Sequence, residues 1–110
     1  MIDSICVIVT RPQGEERSAL GIRTSWATLQ SAIVTKILFV ENGVYSLLKN
    51  PGYNAAMLRD FIDEDGEVYC TKGSLDSRGL SEENLVDGIK VIPEEQVAAL
   101  IEDCESVAVF

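Results

Sequence analysis

The sequence predicts an α/β fold of three layers, in which a mostly parallel sheet of about five strands lies between two layers of helices. Short apolar runs rich in β-branched residues, typical of strands buried on both faces, alternate with segments whose apolar residues recur every three or four positions, as in helices. The chain has 110 residues, and 46% of them are hydrophobic. This is enough for one core but not for two, so we expect a single domain over residues 1–110.

The first half of the chain contains two predicted strands and two predicted helices. The runs Ile5–Thr10 and Lys36–Val40 have the pattern of buried strands. A helix of about five turns is predicted from Glu15, because five apolar residues then share one stripe: Ala19, Ile22, Trp26, Leu29 and Ile33. A short helical turn is predicted over 44–48, and a second stripe that starts at Tyr53 predicts a helix ending before the acidic run 63–65.

Three more strands and two more helices are predicted in the second half. The strands are Glu67–Cys70, Ile89–Ile92 and Ser106–Phe110. About two helical turns fit between Gly73 and Leu80, with Thr71 or Ser74 as N-cap and Gly79 as the C-terminal stop. Pro93 suits the first position of the last helix, whose inner face would be formed by Val97, Leu100 and Ile101.

Composition and charge exclude several classes of function. The chain has 18 acidic and 9 basic residues, and its net charge of −9 disfavours binding to nucleic acid or to anionic membranes. No apolar run approaches the roughly 20 residues that span a bilayer. Histidine is absent, which excludes Ser-His-Asp and Cys-His catalysis, and the carboxylates lack the spacing of a cation loop. We therefore expect no metal and no cofactor.

The chain has three cysteines, an odd number without a C-x-x-C pair, which predicts free thiols in a reducing compartment and hence a cytoplasmic protein. Cys6 lies inside the first buried run and is interpreted as a core residue. Cys104 is surrounded by acidic neighbours, which would raise its pKa and disfavour its thiolate. Cys70 ends a strand just before a predicted helix, at the edge of a parallel sheet where active sites usually lie.

Cys70 is therefore the candidate catalytic residue. A helix N-terminus, the backbone donors near Gly73 and the ammonium group of Lys72 would lower the pKa of its thiol. The candidate binding residues lie beside it and in the loop after the second strand: Lys72, Gly73, Ser74, Asn42 and Gly43. Strand ends are also common places for buried cysteines, so the local residues leave Cys70 open between core packing and reactivity. A nucleotide site is disfavoured because no glycine-rich phosphate loop is present.

Two blocks of sequence together resemble a known family. Residues 39–48, FVENGVYSLL, are followed by Val68-Tyr69-Cys70 and by residues 74–80, SLDSRGL. In this order and spacing they resemble the DsrE/DsrF-like sulfur-relay proteins, and especially the TusC or DsrF branch. The resemblance covers nearly the whole chain and implies small α/β subunits that form homo-oligomers, or hetero-oligomers with sister DsrE/DsrH-like subunits.

The resemblance also implies a chemistry, in which persulfide sulfur passes between cysteines of donor and acceptor proteins during tRNA thiolation or sulfur oxidation. The active cysteine of the sulfur-carrying branch maps onto Cys70. The first hypothesis is a sulfurtransferase subunit with Cys70 as persulfide carrier. The alternative is a structural or interaction subunit of the same kind of complex, in which Cys70 is packed.

Overall fold

A computed structural model describes residues 3–12, 14–49 and 54–110, and its centre is one sheet of five strands. All strand pairs are parallel, and the strand order is β4-β3-β2-β1-β5. The predicted α/β fold with a sheet of about five strands is confirmed. The strands are β1 (Ser4–Val9), β2 (Val34–Phe39), β3 (Glu67–Thr71), β4 (Lys90–Ile92) and β5 (Ser106–Val109).

Four α-helices and three 3₁₀ segments connect the described parts of these strands. The helices are α1 (Glu16–Gln30), α2 (Ala55–Asp63), α3 (Lys72–Asp76) and α4 (Val97–Glu102). The 3₁₀ segments are Glu41–Leu47, Glu82–Asn84 and Glu94–Gln96. Because right-handed crossovers that run from β1 toward β4 lie on one side of the sheet, α1, α2 and α3 cover one face; α4 leads back to β5 and covers the other.

The larger core lies between the sheet and the first three helices. Val7, Phe39 and Val68 point from the strands into this core, and they meet Ile22 of α1 and Phe61 of α2. These five side chains are at most 1% exposed. Burying a side chain of this size stabilises the fold by about 1.5–3 kcal/mol, so this layer supplies most of the apolar driving force.

The opposite face of the sheet is covered less completely, because α4 has only six residues. Its core consists of Cys6, Leu38 and Leu100, with partly buried residues around them. Strand register places Val107 beside Cys6 and Val109 beside Ile8, so all four side chains share this face. We call the region formed by Ile8, Val40, Val107 and Val109 the open sheet face; Val107 is 43% exposed and Val109 is 65% exposed.

Several predicted boundaries are wrong at helix ends. Helix α1 ends at Gln30, and Ile33 lies beyond it, because Ala32 has a φ of 65° that a continuing helix does not allow. In place of the two turns predicted over 73–80 the structure has a helix of only five residues, Lys72–Asp76, although Gly79 does adopt the left-handed conformation of a helix stop. Pro93 precedes a 3₁₀ segment instead of opening an α-helix. The prediction at Tyr53 lies outside the described residues.

Candidate functional site

The predicted site lies at the carboxyl edge of the sheet, where β2, β3 and β4 end side by side. Cys70 is the fourth residue of β3, and its register neighbours are Phe39 of β2 and Val91 of β4. The side chain of Cys70 points into the larger core and is 0% exposed. Cys70 therefore lies near the carboxyl end of its strand, as predicted, but its thiol is not accessible to solvent.

The pKa of the Cys70 thiol is shifted in the direction opposite to the prediction. Burial, and to a smaller degree the negative charges of Glu82 and Glu94, raise the pKa of its thiol to about 12. The expectation that Lys72 and the helix N-terminus lower the pKa of Cys70 is wrong. At neutral pH the thiol of the folded protein is protonated, and its thiolate is the reactive form.

The groups expected to stabilise a thiolate are engaged elsewhere. The backbone N–H of Gly73 donates a hydrogen bond of 2.8 Å to Oε1 of Glu94. A carboxylate therefore already occupies the position at the start of α3 where an anion would be stabilised. Lys72 forms an ion pair of 3.1 Å with Asp76, one turn along the same helix, and its side chain is 67% exposed. The ammonium group of Lys72 and the backbone N–H of Gly73 therefore both interact with carboxylates.

Ser74 lies in α3, and its hydroxyl forms hydrogen bonds to the end of β3 and to the 3₁₀ segment that follows β2. Its Oγ accepts a hydrogen bond of 2.6 Å from the hydroxyl of Thr71 and one of 2.9 Å from the backbone N–H of Glu41. Ser74 is only 9% exposed, so these bonds are largely shielded from water. Glu41 has a φ of 53°, a left-handed conformation that is uncommon for a residue with a side chain. The hydrogen bond from its N–H helps to hold this conformation.

Asn42 belongs to the same cluster through Arg78. The guanidinium Nε of Arg78 donates to Oδ1 of Asn42 at 3.1 Å, and Nη1 donates to the carbonyl oxygen of Ser74 at 3.1 Å. Gly43 lies next to the end of β1, where a β-carbon on it would stand 2.0 Å from the carbonyl oxygen of Val9. The predicted residues Asn42, Gly43, Gly73 and Ser74 are therefore brought to one edge, with hydrogen bonds made to protein groups.

A groove of about 360 Å³ runs beside α3. Lys72, Asp76 and Glu82 supply its charged groups, and Leu75, Leu80 and Val91 supply apolar surface. Glu82 is also one of the charges that raise the pKa of Cys70. The groove walls thus carry more negative than positive charge, which disfavours an anionic occupant.

Sequence reasoning missed three residues of this edge. The carboxylate of Glu94 accepts a hydrogen bond from the backbone N–H of Gly73, which lies on another element. Arg78 lies far from Asn42 in sequence, and the left-handed backbone conformation of Glu41 has no local signal. For Glu94, a carboxylate just after β4 could have suggested the contact, since β3 and β4 are neighbours.

The other two cysteines lie on the opposite face of the sheet. Cys6 is 0% exposed, which confirms its interpretation as a core residue. Cys104 is half-buried and its pKa is raised, mainly by burial and to a smaller degree by Asp103 and Glu67. Within residues 3–12, 14–49 and 54–110, the structure brings no three cysteine or carboxylate side chains together as a metal site.

These features define a small three-layer α/β protein whose connecting loops meet at the carboxyl edge of a parallel sheet. The family model of the DsrE/DsrF-like family matches residues 3–110, and the chain belongs to this family. It is 28% identical to the uncharacterized protein MJ0989 of Methanocaldococcus jannaschii, over 94% of this chain and 96% of that protein. It is 27% identical to the uncharacterized protein MK0008 of Methanopyrus kandleri, over 99% of this chain and 95% of that protein.

The fold is also similar to that of a solved structure, the ychN protein from E. coli. The TM-score is 0.84 at 22% identity, and the match covers 100% of both chains. Membership of the family supports a role related to sulfur relay, and proteins of this family generally form complexes with sister subunits. Among the described residues, no helix is both long enough and apolar enough to cross a bilayer.

Proposed function

We propose that the protein is an interaction subunit of a cytoplasmic sulfur-relay assembly, in which Cys70 contributes to the core and does not carry sulfur. The observation that supports this proposal most directly is the complete burial of the Cys70 thiol, together with a pKa of about 12. A carrier must present a thiolate to a donor protein and then a persulfide to an acceptor. Neither is accessible at this position in the folded chain.

The open sheet face supports the part of the proposal that concerns binding to another subunit. Val107 and Val109 lie on the edge strand β5, where both apolar side chains and unpaired backbone groups are available to another subunit. Ile8 and Val40, which are only partly buried, extend this apolar surface across β1 to the end of β2. We propose that a second copy or a sister DsrE/DsrH-like subunit packs here.

We predict that Val109→Lys weakens assembly, because it places a charge in the centre of the interface. Val109 is 65% exposed in the isolated chain, so the change leaves the stability of the monomer nearly unaltered. Sedimentation velocity would measure the mass of the assembly, for wild type and variant, over a range of concentrations. We expect an increase of the dissociation constant by about tenfold or more.

Leu20→Lys is the matched control for this prediction. Leu20 is 46% exposed on α1, on the other side of the sheet, so it should leave assembly unchanged. Equal effects of the two lysines would contradict an interface at the open sheet face, and a wild-type protein that remains a monomer at every concentration would exclude a second copy as the partner.

The alternative is a persulfide carrier of the TusC or DsrF branch that exchanges sulfur with donor and acceptor proteins. The position of Cys70 near the end of β3, two residues before the start of α3, favours this alternative. In such a step the Cys70 thiolate attacks the terminal sulfur of a donor persulfide, a new S–S bond forms on Cys70, and the donor leaves as a thiolate. The segment 71–74, which is the end of β3 and the first turn of α3, would have to move to expose the thiol.

Intact mass after incubation with a cysteine desulfurase and cysteine distinguishes the two functions. Under our proposal, we expect no sulfur atom on Cys70. A gain of one sulfur that persists in Cys104→Ser and disappears in both Cys70→Ser and Cys70→Ala would replace the proposal with the carrier alternative. The two substitutions at position 70 are compared because a hydroxyl in the apolar core costs stability that alanine does not incur in the same way.

A further inference from the structure

Cys6 and Cys104 meet on the face of the sheet opposite Cys70. Cys6 comes from β1, and Cys104 lies in the bend between α4 and β5. Both side chains belong to the smaller apolar cluster around Leu38 and Leu100. Within this cluster the Cys104 thiol donates a hydrogen bond of 3.8 Å to the carbonyl oxygen of Leu100, and each of the two cysteines affects the pKa of the other. The cluster thus brings together residues from opposite ends of the chain.

The fold itself holds the two thiols in place. Next to Cys104, the backbone N–H of Glu105 donates a hydrogen bond of 3.0 Å to the hydroxyl of Ser4, at the start of β1. The strand that follows is registered on β1, with Ser106 beside Ile5. The bend is therefore fixed to the same strand that contains Cys6, which keeps Cys104 close to Cys6 in the folded state.

The two thiols differ in access and acidity. Cys6 is fully buried, and its pKa is raised to about 11 by burial and then by Cys104. Burial also raises the pKa of Cys104, but the ammonium group of Lys36 and the hydrogen bond from Cys6 oppose this rise, while Asp103 and Glu67 add to it. Cys104 is half-buried whereas Cys6 is fully buried, so Cys104 is the thiol that meets a reagent first.

We propose that Cys6 and Cys104 form a dithiol site that closes to an intramolecular disulfide by exchange with a low-molecular-mass disulfide. The Cys104 thiolate attacks one sulfur of the small disulfide, an S–S bond forms on Cys104, and one small thiolate leaves. The Cys6 thiol then loses its proton and attacks the Cys104 sulfur, so that the second small thiol is released. The protein dithiol is oxidised by two electrons, and the small disulfide is reduced to two thiols.

This site goes beyond the proposed function, because it uses neither Cys70 nor the carboxyl edge of the sheet. The disulfide would connect β1 to the bend before β5, on the side of the open sheet face. Closing the bond requires the sulfur atoms to approach to about 2.0 Å. Because Cys6 lies in a strand and Cys104 in a bend, we expect the Cys104 side chain to move when the bond closes.

The test uses the full chain incubated with oxidised glutathione, followed by rapid acid quenching, intact mass analysis and peptide mapping. In the wild type we expect a species lighter by two hydrogen atoms, with Cys6 and Cys104 in one linked peptide. In Cys6→Ala the reaction should stop at glutathione on Cys104, so that this mixed disulfide exceeds its wild-type level by about tenfold or more. Cys70→Ala, the matched control, should behave like the wild type.

Three results would overturn the proposal. They are a wild-type protein that keeps glutathione on Cys104 without closing, a wild-type protein in which neither thiol reacts, and a linkage that involves Cys70. Because the wild-type result is decisive alone, a loss of stability in Cys6→Ala does not affect the conclusion. Cys6→Ser provides a second variant of the resolving thiol, and circular dichroism would establish that each variant is folded.

Discussion

Alanine at position 43 is expected to lower the free energy of unfolding by about 3 kcal/mol. A β-carbon on Gly43 would lie 2.0 Å from the carbonyl oxygen of Val9, and this neighbour is backbone that cannot rotate away. The same carbonyl accepts a hydrogen bond of 3.1 Å from the N–H of Val40, which connects the ends of β1 and β2. Any shift that relieves the clash weakens that bond. Urea unfolding followed by fluorescence of the single tryptophan, Trp26, would measure the loss.

Gly79→Ala is the control for this substitution. Gly79 has a φ of 67°, but no heavy atom lies within 4 Å of a β-carbon built on it. Alanine there should cost about 1–2 kcal/mol from the left-handed backbone alone. If Gly43→Ala lowers the free energy of unfolding no more than Gly79→Ala does, then Gly43 does not lie as close to the end of β1 as described.

The strands could be predicted because their signal is local. The β-branched run at Ile5–Thr10 and the apolar run Lys36–Val40 identify buried strands without knowledge of their partners. Helix ends were predicted less well, because the end of α1 depends on the left-handed conformation of Ala32, a residue type that gives no such signal. The apolar stripe continues to Ile33, but the helical hydrogen bonding of α1 ends near Gln30.

The edge of the sheet shows why the electrostatics of Cys70 could not be predicted from its neighbours in sequence. The start of α3, directly after β3, does contain a backbone donor and a lysine, as expected. Glu94, which follows another strand, accepts the hydrogen bond from the backbone N–H of Gly73, and its negative charge adds to the rise of the Cys70 pKa. Burial by the surrounding core raises the pKa of Cys70 more than either carboxylate, and burial is a property of packing that the pattern of one short strand does not specify.

Alkaline pH is expected to destabilise the folded protein through Cys70. The pKa of its thiol is raised from 9.0 to about 12 on folding, so the unfolded chain releases the proton first. The stability linked to this thiol is fully present below about pH 9 and is lost as the pH rises toward 12. Within this window the free energy of unfolding should fall by about 1.4 kcal/mol per pH unit through Cys70 alone. Urea unfolding at several values between about pH 8 and pH 10.5 would measure the slope.

Cys70→Ala isolates this contribution, because alanine removes the proton that titrates while all other ionisable groups remain. The variant is less stable at neutral pH, since it leaves a small cavity, but its stability should fall less steeply above pH 9. Cys104→Ala should change the slope less, because that thiol is only half-buried. Equal slopes for wild type and Cys70→Ala would mean that the thiol ionises in the folded protein almost as easily as in the unfolded chain. Such a thiol would be accessible enough to carry sulfur, so the same titration also bears on the choice between the two proposed functions.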